Sequence, residues 1–165
     1  MTHADGEVAA IKPDEDFCGW LLQQASHLRS GNLAALDSLN LAEELEAMAG
    51  SERRKVVSLL RLILGHLLKW HHSRTRRSEN SWQVSLAAAR TDVKDVLEAS
   101  RSLRNELPEL MAKAYKGARL MAGTEMRLAK HNWQHLFPDT CPWTESQAVD
   151  EDFFPEIAEG ANNRF

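Results

Sequence analysis

Apolar residues recur every three to four positions along most of this chain, the spacing of one face of an α-helix. Phe17, Trp20, Leu21 and Leu28 define a first helix. The acids Asp14, Glu15 and Asp16 precede it, where they suit the positive end of a helix dipole, and Ser30-Gly31 stops it. A helical turn over residues 33–39 leads to Asn40, which with Glu43 three residues on reads as an N-cap and capping box. From there Leu41, Leu45, Met48, Val56, Leu59, Ile63, Leu67 and Trp70 fall on one stripe at ~100° per residue. This predicts a second helix of about thirty residues. Beyond Val56 the stripe widens to take in Val57, Leu60, Leu64 and Leu68, so the second half is enclosed from more than one side. Gly50-Ser51 is the weak point, where a kink or break fits. Glu52 falls in the middle of the stripe, where a carboxylate requires a cationic partner, a raised pKa or a rotation of the helix at Gly50.

Residues 71–80 are polar and read as a loop. Ser81 caps a third helix to about Ser100, with Trp82, Leu86, Ala89, Val93, Val96 and Leu97 inward. Ser102-Leu103 restarts the chain, and Pro108 either kinks the fourth helix or marks its first turn. Leu110, Met111, Ala114, Tyr115, Ala118 and Met121 carry that helix to about Met126. A short helix over 131–137, a turn over 138–142 and one more helical turn capped by Thr144 follow. Asp152-Phe153-Phe154-Pro155 then reads as an extended strap that returns its aromatics to the body. The fold predicted is all-α, a four-helix-type bundle with one long second helix and a C-terminal helical or extended strap. It occupies a single helical domain, residues 14–155, between a disordered tail (1–13) and a flexible one (156–165).

Composition agrees with a globular chain: at 43% hydrophobic and 27% charged, its 165 residues exclude wholesale disorder. The longest apolar run, residues 56–68, is interrupted by Arg61 and His66 and falls short of the ~18 residues of a membrane span. The start is acidic and leads into no apolar stretch, so no secretory signal is expected. Cys18 and Cys141 are too few for a disulfide framework, which points to a reducing cytoplasm. Charge is uneven: net −7 over residues 1–50, +9 over 51–130 and −6 over 131–165. Acidic ends folded over a basic middle would cancel much of that field; left open, the middle would offer a phosphate-binding face.

Few residues group into recognisable chemistry. Helical bundles hold metals with Glu and Glu-x-x-His pairs, yet no Glu-x-x-His spacing occurs in the chain. Glu43, Glu44 and Glu46 crowd a helix start, where acids are expected for electrostatic reasons, and His66 lies at the edge of the apolar stripe. These four are the metal candidates, and the expectation is that no metal or other cofactor binds. His131 and His135 share a helix face without the intervening Glu of a zinc helix. Residues 69–77 are the clearest basic cluster, with Lys69, Arg74, Arg76 and Arg77 around Trp70; Arg53-Arg54-Lys55 is a second. Basic side chains with an aromatic can contact phosphates, but no helix-turn-helix or zinc finger accompanies them, so nucleic acid is not the expected partner. Glu52, Arg53, Arg54, Lys69, Trp70, Arg74, Arg76 and Arg77 are instead the expected protein-contact residues.

Several motifs follow one another in a familiar order. Phe17-x-x-Trp20-Leu21 is followed by Leu39-Asn40-Leu41-Ala42-Glu43-Glu44-Leu45-Glu46 and Ser51-Glu52-Arg53-Arg54. Then come His66-Leu67-Leu68-Lys69-Trp70, Ser81-Trp82, Cys141-Pro142-Trp143-Thr144 and Phe154-Pro155. In these the chain resembles the bacterial family catalogued as domain of unknown function 29, from about Asp14 to Pro155. The resemblance implies a compact all-helical bacterial protein and brings no catalytic residues with it. Three functions compete: a non-enzymatic protein-interaction or regulatory module, with a homodimer among its forms; a metal-dependent bundle enzyme; and a nucleic-acid binder. The first is expected.

Overall fold

A computed structural model describes residues 10–72 and 79–158. Among these residues the chain is all-α, with no strand and six α-helices. They are α1 (Phe17–Ser30), α2 (Ser38–His72), α3 (Glu79–Ala99), α4 (Arg101–Glu125), α5 (Lys130–Leu136) and α6 (Glu145–Val149). A single 3-10 turn, Leu33–Ala35, separates the first two helices. The 35-residue α2 continues unbroken through Gly50-Ser51. The chain nevertheless divides at that point into two compact units, residues 1–50 and 51–165.

In the first unit the ends of α1 form as the sequence implies. The Asp16 carboxylate accepts from the Gly19 N–H at 2.9 Å, and Gly31 ends the helix at φ 72°. At that positive φ only glycine is unstrained, and the Gly31 and Asn32 N–H groups return to the Leu28 and His27 carbonyls. Ile11, assigned to the tail, is half-buried and donates its N–H to Gln23 Oε1 at 3.0 Å. The start of α2 differs from expectation. Asn40 is not its cap: the helix begins at Ser38, and Asp37 accepts from the Asn40 N–H at 3.4 Å and from its side-chain amide at 2.7 Å. Asp37 and Asn40 stand in the same cap-to-third-residue relation as Asn40 and Glu43, so both pairs satisfy the local rule. The Asp37 N–H bond to the buried Gln24 side chain, at 2.8 Å, selects the earlier one. The Asn40 amide holds the Asp37 carboxyl below the usual range, against the opposing effect of desolvation. Asp37→Ala should therefore destabilise by about 0.5–2 kcal/mol, read as a lowered urea midpoint, whereas Glu43→Gln should leave the midpoint unchanged.

The second unit is built on the C-terminal half of α2, where Val56, Leu60, Ile63, Leu64, Leu67 and Leu68 are all fully buried. Leu86, Ala89, Val93 and Leu97 of α3 join the same core, as do Leu103, Leu110, Met111, Ala114, Tyr115, Ala118 and Ala122 of α4. Helix α3 begins at Glu79, so Ser81 lies inside it and does not cap it. Ser100 caps α4, which continues through Pro108, a residue with no N–H to give the Arg104 carbonyl. Thr144 and Gln147 form a reciprocal capping box at the start of α6. The chain then runs extended as the strap, with Phe153 and Phe154 half-buried and Pro155 buried. Phe154 packs on Trp70 with ring centroids 4.7 Å apart, and the Ala158 N–H donates to the His71 carbonyl.

Candidate functional site

The apolar stripe that spacing places on α2 is covered in one unit and bare in the other. Leu45 and Met48 are 59% and 58% exposed, and Leu41 only half-buried. The neighbouring α1 repeats the pattern, with Phe17, Leu21 and Leu28 exposed at helical spacing. Beside this face lies a groove of about 440 Å³. Pro13, Phe17 and Trp20 line one side of it, and Glu43, Glu44 and Ala47 the other. The rings of Phe17 and Trp20 stack with centroids 5.8 Å apart. Because α2 starts at Ser38 with no acid in its first turn, the helix dipole does not explain why Glu43, Glu44 and Glu46 are there. Among the described residues no cation pairs with any of the three.

His66 belongs to the second unit, where it is buried, and its Nδ1 has no hydrogen-bond partner among the described residues. Burial, reinforced by the Lys69 charge, lowers its pKa to about 4, so the ring is neutral near pH 7. Lys69 is itself buried: its ammonium bonds the half-exposed Glu125 carboxylate at 2.5 Å and lies 5.1 Å from the centre of the Trp82 ring. Among the described residues no three His, Cys, Asp or Glu side chains lie close enough to hold a metal ion. A second cleft, of about 320 Å³, opens between α4 and the turn before α6, lined by Met111, Tyr115, Asp139, Cys141 and Trp143. Burial pushes the Cys141 thiol and the Tyr115 phenol upward, and Tyr115 donates to the Pro138 carbonyl at 3.0 Å. Both therefore stay protonated at neutral pH, and the cleft offers no thiolate nucleophile.

The expected contact residues are dispersed. Glu52 and Arg54 are exposed, so the Glu52 carboxylate stays in water and requires neither a kink nor a cationic partner. Arg53 makes a bidentate pair with Glu106, at 2.5 and 2.9 Å. Lys69 faces inward and Trp70 packs under the strap, while Arg74, Arg76 and Arg77 lie outside the described residues. His135 is exposed; the side chain of His131 also falls outside the described set. Sequence reasoning missed Arg90, which is 1% exposed. Its guanidinium donates to the Ala148, Glu151 and Phe153 carbonyls at 3.0, 3.2 and 2.9 Å, fixing the strap. The signal was its position between Ala89 and Val93 on the buried face of α3.

The family model described as Domain of unknown function DUF29 matches residues 14–154. The chain belongs to that family. The match begins just before α1 and ends in the strap at Phe154, so it takes in the groove apart from Pro13, the exposed apolar face and the Arg90 clamp. No curated protein and no solved structure matches the chain. Among the described residues no helix is long and apolar enough to cross a membrane.

Proposed function

We propose that this chain is a non-enzymatic protein-interaction module whose contact surface is the apolar face of residues 17–48. The observation that carries this reading is the exposure of Leu45 and Met48 on α2 and of Phe17, Leu21 and Leu28 on α1. Isolated exposed leucines are ordinary, but two consecutive helices here each leave a run of apolar residues exposed at helical spacing, and exposed apolar surface of that kind supports a docking reading. Covering such side chains is favourable by roughly 25 cal/mol per Å² of apolar area. Recognition of an amphipathic helix in a groove uses just such i, i+4, i+7 anchors, and Leu41, Leu45 and Met48 have that spacing.

The test is purification of the full chain from its native cell, with and without Leu45→Asp and Met48→Asp. The unaltered chain should retain one protein at stoichiometric amount, and the double variant should lose it at an unchanged melting temperature. Equal retention by both chains, or no stoichiometric protein with either, overturns the reading.

A further inference from the structure

The groove beside the apolar face has a chemistry that selects its occupant. We propose that it receives an arginine side chain from a basic amphipathic helix of a partner protein, whose apolar residues cover Leu45 and Met48. This rests on the docking reading above and specifies the partner. Three observations converge. First, one wall of the groove carries the ring of Phe17, 45% exposed with the buried Trp20 stacked against it, and the negative face of such a ring attracts cations. Second, the opposite wall carries Glu43 and Glu44, which have no cation among the described residues and which the helix dipole does not account for. A planar guanidinium is the group that stacks on an aromatic face while donating two hydrogen bonds to a carboxylate; the ammonium of lysine does neither as well. Third, residues 1–50 carry a net charge of −7, which draws a basic segment toward the groove before contact.

The same charges argue against other occupants. Two copies joined about a two-fold axis would bring two segments of net −7 toward one another. The net −7 of residues 1–50 disfavours nucleic acid and anionic lipid at this groove. A basic helix reverses each of these penalties. Its arginine enters the groove, and leucines three and four residues along lie over Leu45 and Met48.

The experiment titrates the full chain with a labelled synthetic helix of about 16 residues, bearing arginines on one edge and leucines on its face. One companion peptide replaces arginine by glutamine, another leucine by serine. Binding should weaken about tenfold or more for either companion peptide, and equally for Glu43→Gln with Glu44→Gln in the protein. Glu46→Gln, outside the groove, should change it less than about twofold. Each variant is first shown to melt with the unaltered chain. The proposal is overturned if the Glu43/Glu44 variant binds as tightly as the unaltered chain, or if Glu46→Gln weakens binding as much. Undiminished binding of the serine peptide, which would reveal bulk charge attraction alone, also overturns it. So does a dimeric solution mass that the Leu45→Asp/Met48→Asp variant abolishes, since the occupant would then be a second copy. Should the native partner depend on Leu45 and Met48 while Glu43 and Glu44 prove indifferent, the arginine assignment fails and the docking reading stands.

Discussion

Lowering the pH from near 7 to near 4 should remove on the order of 5 kcal/mol of folding stability, and His66→Gln with His72→Gln should remove most of that dependence. Both rings are buried, and for both burial is the main cause of a pKa lowered from 6.5 to about 4. The Lys69 ammonium lowers His66 further while the Glu125 carboxylate opposes it; His71 lowers His72. His72 Nε2, like His66 Nδ1, has no hydrogen-bond partner among the described residues, so protonation would place a charge where nothing receives the new donor. The sign follows from proton counting. The unfolded chain takes up protons at these sites near pH 6.5, whereas the folded chain resists until about 4. Between those values the unfolded state binds more protons, so stability is full above the window and falls through it as acid is added. One pKa unit is worth about 1.4 kcal/mol, which sets a ceiling of roughly 3 kcal/mol for each histidine. Glu106, lowered by its pairing with Arg53, adds a loss of the same direction at more acid pH. Urea unfolding at a series of pH values measures the slope. An unaltered slope in the double variant would mean that the rings titrate normally in the folded chain.

Arg90→Met should destabilise by about 3 kcal/mol, and Arg90→Lys should recover less than half of that. Three strap carbonyls, those of Ala148, Glu151 and Phe153, converge on this one guanidinium, and each loses its donor when the side chain is replaced. Methionine retains much of the volume, so the measured loss reports hydrogen bonding more than a cavity. An ammonium cannot span three acceptors placed around a planar fork. Burial lowers the Arg90 pKa, opposed by the charges of Asp150 and Glu151, and the group remains a cation. The loss should be accompanied by faster proteolysis within residues 150–158, because the strap then keeps Phe154 on Trp70, the Lys94–Glu151 pair at 2.7 Å and the Ala158 bond to the His71 carbonyl, but not its buried clamp. A stability change below about 1 kcal/mol would show that the strap carbonyls find water as readily as they find Arg90.

What the sequence determined by itself is what depends on neighbours within one or two turns. The cap at Thr144 and the stop at Gly31 satisfy backbone groups a few residues away and occur where the spacing places them, and of the three acids expected before α1 it is Asp16 that caps it. The helical period marked the buried side chains of α3 and α4 for the same reason. Asn40 was misassigned because Asp37 offers an equally valid local cap, and the deciding bond comes from Gln24 in another helix. The tertiary structure alone decided which apolar faces are covered. Periodicity at Leu45 and Met48 is identical to that at Val56 and Ile63, yet the first two are exposed and the second two lie in the buried core of their unit. It also decided the sense of the charges. Lys69 is internal because Glu125 lies opposite it from 56 residues away, and Arg90 because carbonyls 58 to 63 residues away turn toward it. Glu43 and Glu44 became a candidate site only when Phe17 and Trp20 were brought beside them. A sequence pattern records how a helix is divided between apolar and polar faces; what each face meets depends on the path of the rest of the chain.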